Sequence, residues 1–139
     1  MPKPDTRARR LSVDEDFFSD FPINLDRNPV TGNLALITNE EAVKSSLRNI
    51  MLTQMGEWPR QPLLGSKIYR SLFEPTSRIT ASVLKTAIEQ AAVREPRAQI
   101  VNVSVTPDPQ ENGYTVTIQF YTVRSSQLQV LTHFLRRVR

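Results

Sequence analysis

The chain has 139 residues, suited to one domain able to bury about two-thirds of its unfolded surface. It is 39% hydrophobic and 23% charged, which excludes a wholly disordered or coiled-coil chain. With no cysteine, one histidine (His133) and four glycines, it excludes disulfide staples, thiol catalysis, a histidine-cluster zinc site and a glycine-rich phosphate loop.

The net charge of +4 is unevenly placed. No acid follows Glu111, yet Arg124, Arg136, Arg137 and Arg139 do. Such an end suits an acidic protein surface or nucleic acid, and equally a solvated tail. Interleaved aromatics for base stacking are sparse there, so nucleic acid is the weaker reading. No apolar run reaches signal-peptide or membrane-span length, so a soluble protein made in a cytoplasm, without a membrane partner, is expected.

In chain order, residues 1–16 read as a flexible arm and 17–139 as a single folded domain. Phe17, Phe18 and Phe21 bring aromatic mass that can dock on the core. Leu25 to Ile37 predicts a short hairpin, with Asn28-Pro29 and Gly32-Asn33 as turn chemistry and Leu34 and Leu36 on one face. Thr38 with Glu41 matches a capping box. Val43, Leu47, Ile50, Met51 and Gln54 follow at helical spacing, and Gly56 offers a left-handed C-cap. Pro59 and Pro62 keep residues 57–65 irregular. A short helix is expected over 67–73. Thr76 or Ser77 then caps a second long helix, with Ile79, Val83, Leu84, Ala87, Ile88 and Ala91 as its apolar stripe and Pro96 ending it near Arg94. The remainder alternates with period two. Val101, Val103 and Val105 form one strand, and Tyr114, Val116, Ile118 and Phe120 a second beyond a Pro107–Gly113 loop. Leu128, Val130, Thr132 and Phe134 form a third, although Leu131 and Leu135 occupy its other face. The fold class is α+β: two main helices on a small, mainly antiparallel sheet with a C-terminal hairpin.

Three acids come up as glycosidase candidates, Glu57, Glu74 and Glu95, each beside a proline-containing turn. Loop residues making local hydrogen bonds explain them more simply. His133 lacks a nucleophile elbow and reads as a surface strand residue. Glu95-Pro96-Arg97 sets two opposite charges around a rigid residue. Arg97 can bind a carboxylate bidentately through two of its three nitrogens, either on a partner or within the chain. No cofactor, metal or catalytic residue is expected.

These pieces, taken in order, resemble a family. Asp20-Phe21, Asn28-Pro29-x-Thr31-Gly32, Ala42 to Leu52 with Thr53, and Gly56-Glu57-x-Pro59-x-x-Pro62-x-x-Gly65-Ser66 open the pattern. Leu72-Phe73-Glu74-Pro75, Glu95-Pro96-Arg97 and Asn112-Gly113-Tyr114 complete it. It resembles the contractile-phage baseplate wedge proteins called tail sheath initiators, often labelled lysozyme-like, and more loosely a type VI secretion baseplate subunit. The resemblance covers about Phe17 to Leu135.

The resemblance implies a structural, non-enzymatic role in the virion. Glu95, Pro96 and Arg97 would contact the helical core bundle of the wedge. The strands from Tyr114 to Leu135, through Tyr114, Val116, Ile118, Phe120, Leu128, Val130, Thr132 and Phe134, would template the first sheath layer by strand addition. Tail tube and hub proteins are further partners it allows. The alternative class is a peptidoglycan hydrolase. Trp58 stands where many members carry arginine, so any ion pair made there is absent, and the basic arm 1–10 lies outside the match.

Overall fold

The structure, a computed structural model, describes residues 16–138. The arm expected over 1–16 lies outside them except for Asp16. In chain order the elements are β1 (Ser19–Asp20), β2 (Ile37–Thr38), α1 (Asn39–Leu52), α2 (Ile68–Ser71), α3 (Arg78–Ala92), β3 (Ala98–Asp108), β4 (Gly113–Thr122) and β5 (Ser125–Arg136). This is the α+β class the patterning implies. β1 and β2 form a small antiparallel pair, and β3-β4-β5 a three-stranded antiparallel meander with β4 at its centre.

Both sides of the loop before α1 are turn chemistry. The Asn28 side chain accepts from the Val30 N–H, and a single antiparallel bridge joins Arg27 to Leu34. The hairpin is thus one rung long, and Leu34 and Leu36 are exposed. The expected capping box does not form: Thr38 makes no side-chain cap bond, because it lies in β2 opposite Ser19. Glu41 pairs with Lys44 instead. Asn39, at φ 51°, turns the strand into the helix and is tied to the preceding segment. Its side chain accepts from Phe17 N–H, and its own N–H donates to the Phe18 carbonyl.

α1 ends at Leu52, before Gly56. That glycine, at φ 91°, occupies the third position of the turn closed by Glu57 N–H on the Gln54 carbonyl. Ser77 caps α3 by accepting from Thr80 N–H.

The helices cover one face of the meander. Val43, Leu47 and Met51 of α1, Leu84 and Ile88 of α3, and Ile68 and Leu72 around α2 meet Val103, Tyr114, Val116, Ile118, Phe120, Leu131 and Leu135. Two facings differ from expectation. On α3 the buried stripe runs through Ala81, Leu84, Ile88 and Ala92, while Ile79 and Val83 face solvent. On β5 the inward residues are Leu131 and Leu135, and Leu128, Val130, Thr132 and Phe134 point outward. Alternation fixes two faces but not which is inward, and opposite Val116 and Ile118 the register sets His133 and Leu131 inward. Tyr114 is fully buried yet satisfied, since its hydroxyl reaches the Pro75 carbonyl and accepts from Ser77 N–H.

The C-terminal basic segment is docked. Arg137 N–H donates to the Asn112 carbonyl and Val138 N–H to the Leu72 carbonyl. Among the described residues no helix is long and apolar enough to cross a membrane.

Candidate interaction surfaces

The α3–β3 junction is built by Pro96, which stops the helix and turns the chain into the sheet. Glu95 is 3% exposed there, not the partly exposed partner-facing group its motif suggests. Its carboxylate accepts from Arg97 Nε at 2.7 Å, Arg97 Nη2 at 2.9 Å and Arg97 N–H at 3.1 Å, and from the Ser46 hydroxyl of α1. Burial raises the proton affinity of this carboxyl, but the bonds from Arg97 and Ser46 outweigh it and hold its pKa below the ordinary value. The hydrogen bonds to Glu95 likewise raise the Arg97 pKa against its own burial. The guanidinium also lies 5.4 Å from the Phe18 ring centroid, within cation–π range. The internal ion pair therefore exists, and of the three motif residues Pro96 and the outer part of Arg97 remain accessible.

Beside them the β4–β5 turn carries Val123 and Arg124. Arg124 stacks over Phe17 at 4.3 Å, so two Arg–Phe contacts fasten the first described residues to this end of the sheet. A broad open groove of about 810 Å³ runs between Pro96 and this turn.

The expected sheath-contacting residues divide. Tyr114, Val116, Ile118 and Phe120 are at most 1% exposed and lie on the central strand, whose two edges are already paired. They build the core from beneath and present no edge. Leu128, Val130, Thr132 and Phe134 line the outward face of β5, an edge strand with no further strand beyond it among the described residues.

Each of the three acids is engaged locally. Glu57 accepts from Gln54 N–H within its own turn, and Glu74 lies 3.5 Å from Thr80 Oγ1. A glycosidase acid needs a raised pKa, and Glu95 moves the other way. His133 is not on the outer surface. It faces α1 half-buried, and burial together with the nearby Arg48 lowers its pKa. Among the described residues no three His, Cys, Asp or Glu side chains come together as metal ligands.

The site thus comprises a hydrogen-bonded interior carboxylate, an accessible proline–arginine corner and, among the described residues, an unpaired edge on β5. Residues 38–127 match the family described as baseplate wedge protein gp25, and the chain belongs to that family. It is thus a structural component of a phage-like tail baseplate, with other baseplate subunits as its partners. Its fold is similar to that of a Geobacter sulfurreducens protein described as a tail lysozyme: TM-score 0.59, 21% identity, 74% of this chain and 96% of that one covered. It is also similar to a chain in the cryo-EM structure of the anti-feeding prophage baseplate, with TM-score 0.57, 24% identity, and 87% and 86% covered. No curated protein sequence matches the chain.

Proposed function

We propose that this protein joins the wedge core to the first layer of contractile sheath, accepting a sheath strand along the free edge of β5. The observation that carries this is the 12-residue β5 itself. It is a long edge whose outward side chains from Leu128 to Phe134 are uncharged, on a sheet braced by two helices. An incoming strand satisfies the free main-chain groups, and the outward side chains set its register. The domain beginning at Phe17 acts as one unit in this reading. Pro96 and Arg97 present the wedge-facing corner, Glu95 fixes the guanidinium, and any contact with tube or hub subunits is secondary.

Deleting β5 removes the buried Leu131 and Leu135, so truncation is a poor test. The double substitution Val130→Lys and Thr132→Lys leaves the core intact and blunts the edge, as lysines do on natural edge strands. Baseplates carrying it should assemble but remain bare of sheath by negative-stain microscopy. Normal sheath growth on them rules out strand addition at β5.

A further inference from the structure

The loop from Thr53 to Lys67 is tied by main-chain hydrogen bonds at its ends and within its turns, yet it keeps its apolar side chains outside the core. Its two ends are clamped, with Ser66 N–H on the Thr53 carbonyl at 2.8 Å and Met55 N–H on the Ser66 carbonyl at 3.0 Å. The Ser66 hydroxyl, buried, donates to the Met51 carbonyl at 2.6 Å. Gly65 has φ 106°, and a Cβ there would lie 2.4 Å from the Thr53 carbonyl oxygen, so only glycine closes the clamp. Turns at Trp58–Gln61 and Gln61–Leu64, with Pro59 and Pro62, stiffen the tip. Even so, Trp58 is 57% and Leu63 62% exposed. Rigid apolar groups held out to solvent lose little entropy on contact, which is how interface anchors behave.

Between this loop and α3 lies a cleft of about 250 Å³. Leu63, Met55, Ala87 and Ala91 give it apolar walls, and Lys67 and Arg94 are its only charged lining residues. Neither cation forms an ion pair among the described residues. One cation beside the C-terminal end of α3 complements the helix dipole, and Arg94 fills that role. Lys67, from the start of α2, is not accounted for in that way. The volume is below the roughly 300–1,000 Å³ of small-molecule sites, so it fits one or two side chains rather than a cofactor.

We propose that this cleft is a docking site for an acidic–apolar segment of another baseplate protein. An apolar side chain of that segment enters against Leu63, Ala87 and Ala91, and a neighbouring carboxylate meets Lys67 and Arg94. The site is separate from the β5 edge and needs no sheath.

A photo-crosslinking residue at Leu63 in assembled baseplates, followed by peptide mapping, reads the occupant directly. The expected product joins Leu63 to another subunit, at an apolar residue with Asp or Glu within about four positions, one helical turn or less. Lys67→Glu with Arg94→Glu should lower incorporation of the chain into baseplates about tenfold at low salt, with the deficit shrinking as salt rises. Far-UV circular dichroism checks the fold, and Lys67→Gln with Arg94→Gln, expected to give about a threefold loss, serves if the reversal misfolds. Crosslinks to a segment lacking acids, to a second copy of this chain or to nothing overturn the proposal, as does unchanged incorporation of the folded variants. Sheath growth is scored separately, so failure of strand addition at β5 leaves this result standing.

Discussion

Removing Arg97 should destabilise the isolated domain more than removing Glu95, although the two form one pair. In Glu95→Ala the guanidinium, already 32% exposed, turns to water, and the loss is mainly the fork and the Ser46 bond. That costs about 2–3 kcal/mol. In Arg97→Ala a carboxylate that is 3% exposed keeps only the Ser46 hydroxyl and one main-chain N–H. Stranding a buried charge costs about 3–5 kcal/mol. The variants should therefore differ by about 1–2 kcal/mol, or about 3–8 °C in Tm for a chain of this size. The double variant should fall close to Glu95→Ala alone, since the arginine has no stranded partner left to rescue. Urea unfolding followed by far-UV circular dichroism measures this, because Trp58 is too exposed to report the core. pH gives a second arm. The folded Glu95 carboxyl titrates below its ordinary value, so its stabilisation is full above the unfolded pKa and is lost as pH falls through the folded one. In Arg97→Ala the guanidinium no longer offsets burial and only the Ser46 and main-chain bonds oppose it, so the carboxyl's pKa rises relative to the parent, protonation relieves part of the penalty and the gap between the single variants narrows on acidification. A larger loss in Glu95→Ala than in Arg97→Ala, or additive losses in the double variant, refutes the pairing argument.

Leu131→Ala should cost about 2–4 kcal/mol and Leu128→Ala under about 1 kcal/mol, which checks the facing of β5 by chemical denaturation. Gly65→Ala should cost about 2–4 kcal/mol through its positive φ and the collision with the Thr53 carbonyl, and thermal melts would show it. His133 has its pKa lowered, so the unfolded chain takes the proton first, and stability should fall as pH drops through about 6.5. His133→Gln should flatten that part of a Tm–pH curve, and an unchanged curve would dismiss the histidine. Glu57→Gln, Glu74→Gln and Glu95→Gln proteins and the parent should all release no muropeptides from purified cell walls. Activity in the parent that one substitution abolishes would reinstate the hydrolase reading.

Periodicity carried the element order well, because helices and strands here obey their own repeats. It failed where tertiary partners decided the outcome. Ile79 and Val83 satisfy the helical stripe as well as Ala81 does, but the face of α3 that meets the sheet is the one carrying Ala81, Leu84 and Ile88. Leu128 and Leu131 both suit a strand, and the choice between them rests on pairing with β4. The Thr38 and Glu41 signal was overridden because β2 runs directly into α1. At the junction the Glu-Pro-Arg run was visible, but Ser46, 49 residues earlier, was not, and its hydroxyl donates to the buried Glu95 carboxylate. Nothing in the residue order placed Tyr114 to Phe120 on the central strand, since that depends on the sheet order alone.

The open side of β5 has one further implication, for the time before a particle exists. On the proposed strand addition, a free strand is as ready to pair with a second copy of the chain as with its guest. Arg124 immediately precedes this strand and Arg136 ends it. Whichever way two copies align, parallel or head-to-tail, positive meets positive at both extremities. An acidic guest feels no such repulsion. On the proposed strand addition, these charges oppose pairing between two copies but not pairing with an acidic guest, and the opposition weakens with ionic strength. Stocks should stay monodisperse by light scattering in dilute buffer and drift to larger species in concentrated salt, with Arg136→Ser drifting sooner.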